Sequence, residues 1–135
     1  LAVPIYAGIP VTDREYASSV GFYSLHRKEG SAFTEMDWER MAKGPDTLVL
    51  LMGSTVLADI VRQLVRYGRP ETTPVALITR GTNPGQKRYL ATLATIMPLV
   101  AGRQIERPAI IVVGDVVRAA ATMDWFACET ITEQL

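Results

Sequence analysis

The stretch Thr47-Leu48-Val49-Leu50-Leu51-Met52-Gly53 is almost wholly apolar, follows the turn signal Gly44-Pro45-Asp46 and closes on a glycine. A run this short between turn signals reads as a fully buried strand rather than a helix. In an α/β sheet, ligands sit at the carboxyl ends of such strands, and here that end is Met52 and Gly53. Two readings stand side by side. Met52 is a core filler and Gly53 a turn residue, or the glycine lets a ligand approach the backbone closely.

Two further runs have the same character. Pro74–Thr79 ends in the loop Arg80-Gly81-Thr82-Asn83-Pro84-Gly85, and residues 108–114 contain Ala-Ile-Ile-Val-Val before a glycine. β-Branched and aromatic residues over 19–25 predict another strand, and the alternation of Tyr89, Ala91 and Leu93 one more. Helices fall between them. Leu57, Ile60, Val61 and Leu64 recur at helical spacing, with Ser54 or Thr55 as N-cap and Gly68 as terminator. Thr34-Glu35-Met36-Asp37 has capping-box spacing ahead of Trp38, Met41 and Ala42. A helix over 94–103 is expected to be kinked or delayed by Pro98, and residues 115–126 to form a short helix. The sum is α/β: a single mixed sheet of about five strands with helices packed on it. The short 82–86 connection allows an antiparallel pair within that sheet. Pro4, Gly8 and Pro10 give residues 1–11 the composition of an extended linker, leaving 12–128 as the domain and 129–135 as a tail.

Composition narrows the function. The 135 residues are 48% hydrophobic and 21% charged with a formal net charge of zero, as in a single soluble globular domain. With no clustered Lys and Arg there is no electrostatic footprint for nucleic acid. No apolar stretch is long enough for a membrane span, and no signal peptide opens the chain. One cysteine, Cys128, and one histidine, His26, leave no intrachain disulfide and no structural zinc cluster, so no metal is expected and a reducing, cytoplasmic setting fits. GxGxxG, Walker, HExxH and GxSxG motifs are missing. His26 is the one side chain suited to proton transfer near neutrality, or else a surface residue. Arg14, within Asp13-Arg14-Glu15, is part of a solvated charge run or a fork for a carboxylate.

The order of motifs says more than any one of them. Tyr6-Ala7-Gly8-Ile9-Pro10-Val11-Thr12, Arg14, Tyr16-Ala17-Ser18-Ser19-Val20 and His26 are followed by Asp37-Trp38-Glu39, Thr47-Leu48-Val49 and Met52-Gly53. Then come Thr73 to Ile78, Gly81-Thr82, Gln86, Thr92-Leu93, Pro108-Ala109, Val113-Gly114 and Trp125-Phe126. This succession resembles the uroporphyrinogen-III C-methyltransferases, within the S-adenosylmethionine-dependent tetrapyrrole methylases that include the methylase module of siroheme synthase. The resemblance runs from Tyr6 to Phe126.

That resemblance implies the C-terminal half of a two-domain fold, with the active-site cleft between the halves. The N-terminal half of the same polypeptide would then carry a glycine-rich loop and a Gly-Gly-Asp motif. Carried over by position, Met52, Gly53, Ala76, Gly81 and Thr82 contact S-adenosylmethionine, while Arg14, Tyr16 and His26 face the tetrapyrrole. A homodimer is implied as well. Asp13, Ser24-Leu25 ahead of His26, and Leu51 depart from the family pattern and leave the precise substrate open. One alternative is a methylase for another precorrin; the other is a non-catalytic half-domain used for dimerisation.

Overall fold

The three apolar runs become the centre of a six-stranded mixed sheet ordered β1-β2-β5-β3-β4-β6. The computed structural model describes residues 1–25, 33–123, 125–126 and 128–132. The strands are β1 (Val20–Ser24), β2 (Thr47–Leu51), β3 (Pro74–Thr79), β4 (Lys87–Thr92), β5 (Ala109–Val113) and β6 (Glu129–Thr132). The helices are α1 (Ala2–Tyr6), α2 (Glu35–Lys43), α3 (Leu57–Arg66) and α4 (Ile96–Val100). Because β2, β3 and β5 are apolar on both faces, they take the interior of the sheet, and the more polar β1 and β6 take its edges.

Strand direction decides where everything else sits. β2 and β3 each run antiparallel to β5, so they are parallel to one another and end on the same edge of the sheet. β1 is parallel to β2, while β4 is antiparallel to β3 and parallel to β6. One edge therefore gathers the ends of β1, β2 and β3 with the starts of β4, β5 and β6.

Each face has its own core. On the larger side Leu57, Ile60 and Leu64 of α3, Met41 of α2, and Ile96 and Val100 of α4 cover Leu48, Leu50, Leu77 and Ile111. Each fully buried Leu or Ile contributes about 1.5–3 kcal/mol. The opposite layer is thinner. Ala76, Ile78 and Val112 lie under Val116, Val117 and Ala120 of a 3₁₀ helix, Asp115–Ala121, and under Ala7, Ile9 and Ala17.

Several sequence expectations are corrected. Residues 1–11 are not extended throughout: α1 occupies Ala2–Tyr6, with its proline in the first turn, where a missing N–H costs little, and Ile9 is fully buried. Trp125 donates its indole N–H to the Ile5 carbonyl at 2.9 Å, and Arg88 Nη1 donates to the Ala7 carbonyl at 2.7 Å, so tertiary contacts hold the segment. The sheet has a sixth strand inside the expected tail, because β6 pairs with β4 and Thr130 Oγ1 accepts from Arg88 Nε at 2.7 Å. Neither Ser54 nor Thr55 caps α3; both lie in a 3₁₀ turn, Ser54–Val56, that leads into it. The helix expected over 94–103 is only Ile96–Val100, and the one over 115–126 is 3₁₀. The capping box of α2 is formed as expected, Thr34 Oγ1 accepting from the Asp37 N–H at 3.2 Å and Asp37 Oδ2 from the Thr34 N–H at 2.9 Å.

Candidate functional site

Backbone conformation singles out one edge of the sheet. Among the described residues, the non-glycine residues with φ in the left-handed region are Met52 at 59°, Arg80 at 49° and Thr82 at 68°. All three follow the carboxyl ends of β2 or β3. Such residues cost of order 1 kcal/mol or more and concentrate at ligand-binding positions. Between the two strand ends lies the start of β5, and the Arg80 N–H donates to the Pro108 carbonyl at 2.9 Å. With neighbouring strands ~4.8 Å apart, Met52 and Arg80 follow strand ends separated by about 10 Å. A hollow of about 520 Å³ opens on this edge, lined by Met52, Ser54, Thr55, Arg107, Pro108 and Ala109. The Met52 side chain is 61% exposed beside it. That size suits a small-molecule ligand, and the lining mixes apolar surface with two hydroxyls and a guanidinium.

The two glycines are explained by packing. A Cβ on Gly53 would come within 2.7 Å of Leu25 Cδ1 and 2.9 Å of Ile60 Cδ1, so its bare face points at the core. A Cβ on Gly81 would lie 2.5 Å from Val3 Cγ1, so α1 occupies that space. Ala76 is mid-strand and wholly buried, in register with Val112 and Leu90, and its small side chain makes room for the thin layer above. Thr82 is exposed, and its N–H donates to Gln86 Oε1 at 2.8 Å. Along the rim, Glu106 lies 3.6 Å from Arg80 and 3.7 Å from Lys87, and Lys87 lies 3.7 Å from Glu129. These pairs are half-exposed and long, and contribute little to stability.

Arg14 and Tyr16 lie elsewhere. They border a second hollow of about 580 Å³ with Ser18 and Asp46, beside the starts of β1 and β2. A strand of five residues, roughly 17 Å, separates this end of the sheet from Met52. Ser18 donates its N–H and its hydroxyl to Asp46 Oδ2 at 2.9 and 3.1 Å, and these bonds hold the Asp46 carboxyl below the usual carboxylate range. Burial pushes the Arg69 guanidinium down, against the pull of Asp46 and Asp115. Arg69 donates to the carbonyls of Asp46 at 3.1 Å and Met41 at 3.3 Å, and to that of Pro45, closing the end of α2. His26 lies outside the described residues. Among the described residues there is no group of three or more His, Cys, Asp or Glu that could hold a metal, and no helix long and apolar enough to cross a membrane.

The sequence reading did not name Arg107, and it quoted Arg80, Gln86 and Pro108 only as letters of a loop or motif. Glycine and methionine carry a visible signal at strand ends, whereas a left-handed arginine carries none.

Fold and geometry define a mixed α/β domain with left-handed turns and a hollow at the ends of two parallel strands. The family profile of the Tetrapyrrole (Corrin/Porphyrin) Methylases matches residues 1–97, and the chain belongs to that family. It is 45% identical over 117 residues to a uroporphyrinogen-III C-methyltransferase of Priestia megaterium, covering 87% of this chain and 49% of the relative. It is 41% identical over 125 residues to a siroheme synthase of Methylobacillus flagellatus, covering 93% of this chain and 26% of that protein. The uroporphyrin-III C-methyl transferase of Thermus thermophilus, solved in complex with S-adenyl homocysteine, superposes with a TM-score of 0.71. It is 28% identical, over 84% of this chain and 47% of that one. The chain thus spans about half the length of the methyltransferase relative and about a quarter of the siroheme synthase.

Proposed function

We propose that this chain is the C-terminal half of an S-adenosylmethionine-dependent uroporphyrinogen-III C-methyltransferase, completed by an N-terminal half of the same polypeptide. The observation that carries the reading is the clustering of left-handed Met52, Arg80 and Thr82 on one strand-end edge beside the 520 Å³ hollow. Membership of the methylase family supplies the chemistry. S-adenosylmethionine, when bound, supplies an activated methyl group. The residues present fit it: the exposed Met52 thioether gives a polarisable apolar contact, and the exposed, left-handed Thr82 lies on the same edge.

In this reading Gly53 and Gly81 act indirectly, letting Leu25, Ile60 and Val3 pack so that the two turns keep their shape. Ala76 likewise makes room for the thin layer packed over it. A pyrrole carbon is itself nucleophilic, so the chain's task is to orient donor and acceptor and exclude water. Arg14 and Tyr16, at the far end of the sheet, would meet carboxylates on the periphery of a broad tetrapyrrole. His26 remains a candidate for the same substrate. The proposed product is precorrin-2, methylated at carbons 2 and 7, for siroheme or cobalamin synthesis, and the proposed assembly is a cytoplasmic homodimer. Identity of 45% to a uroporphyrinogen-III enzyme favours this substrate over a later precorrin.

The test is turnover by the intact polypeptide with uroporphyrinogen III and S-adenosylmethionine, read by product mass. Addition of two methyl groups is expected. No methylation of uroporphyrinogen III would overturn the substrate assignment.

A further inference from the structure

Gln86 is a buried polar side chain beside the Thr82 turn that bonds in two directions. It is 1% exposed. Its Oε1 accepts the Thr82 N–H at 2.8 Å, and its Nε2 donates to the Tyr6 carbonyl at 3.2 Å. The first bond closes the turn in which Arg80 and Thr82 are left-handed; the second ties that turn to the segment leaving α1. Two shorter links brace the same loop: the Gln86 N–H donates to the Asn83 carbonyl at 2.9 Å, and Asn83 Nδ2 to the Gly81 carbonyl at 3.0 Å. Val3 of α1 fills the space beside Gly81.

We infer that Gln86 is a positioning residue that holds the Gly81-Thr82 turn in its ligand-binding shape and locks it to α1. An amide is suited to this task because it presents one acceptor and one donor at fixed separation. A left-handed threonine has no intrinsic reason to stay so, and a buried partner for its N–H supplies one. The inference rests on the proposed use of S-adenosylmethionine at this edge.

Gln86→Leu in the intact polypeptide keeps the volume and removes both bonds. S-adenosylhomocysteine affinity is read by calorimetry, the split between KM for S-adenosylmethionine and kcat by kinetics, and thermal melting alongside. Leu64→Ala, a cavity in α3 under the other face of the sheet, serves as a control for plain destabilisation. The expected result is a dissociation constant raised about tenfold and KM raised in step, while Leu64→Ala lowers the melting temperature without changing affinity. Hydrogen exchange at Thr82 needs no substitution. Its amide is expected to be protected in the unsubstituted polypeptide although the residue is exposed, and an unprotected amide would overturn the inference. Gln86→Leu with affinity within twofold of the parent would overturn it too. If the unsubstituted polypeptide does not bind S-adenosylhomocysteine, the functional reading fails, and this inference with it.

Discussion

Met52 combines two properties that rarely meet: a large apolar side chain left 61% exposed, and a backbone held at φ 59°. A side chain with so few contacts adds little to folding, so Met52→Ala is expected to change stability by less than about 0.5 kcal/mol. Affinity for S-adenosylhomocysteine should fall in the same variant, and calorimetry beside thermal melting separates the two. Gly81 makes the opposite case. Because Val3 stands where its Cβ would go, Gly81→Ala is expected to destabilise the fold by about 1–3 kcal/mol through overpacking. Val3→Ala should restore part of that loss, since the two sites share one space. If the double variant is no more stable than Gly81→Ala alone, the packing explanation fails.

At the scale of elements, the turn joining α2 to β2 is bound by several polar contacts. Arg69 donates to one α2 carbonyl, Met41, and to that of Asp46 in the turn, while Asp46 receives Ser18 and donates its own N–H to Ser19 Oγ at 2.9 Å. Since the folded-state pKa of Asp46 is depressed, its stabilisation is present above the unfolded value and lost as pH falls through the folded one. Asp46→Asn should therefore lower the melting temperature at pH 7, the difference closing below about pH 4. A difference that stays constant down to pH 2 would contradict the assignment. The sequence made the central strands legible because apolar runs on both faces have one physical outcome in a domain this size. It made α3 legible because Ile60 and Leu64 repeat at its period. β6 was hidden: Glu129-Thr130-Ile131-Thr132 is polar, and only its pairing with β4 makes it a strand. α1 was hidden in the same way, held by Arg88 and Trp125 from distant parts of the chain. Of the site, glycines and a methionine at strand ends were readable. What they touch was not, because Val3 against Gly81 and Gln86 against Thr82 are tertiary contacts with no local signature.

At the scale of the molecule, the chain encloses two cores and leaves Leu1, Ile5 and Trp125 exposed around α1 at 68%, 45% and 57%. Residues 1–135 alone are expected to fold cooperatively in a thermal melt but not to turn over uroporphyrinogen III, because one wall cannot align donor and acceptor. The central claim is that the carboxyl ends of β2 and β3 form the wall that meets S-adenosylmethionine. Its most direct measurement is the methyl resonance of Met52 in the intact polypeptide, assigned by Met52→Leu and followed during titration with S-adenosylhomocysteine. The methyl of Met36 on α2, equally exposed at 59%, is the internal reference. Met52 is expected to shift in a saturable way while Met36 stays still; saturable binding that leaves Met52 unmoved would contradict the placement of S-adenosylmethionine at this edge.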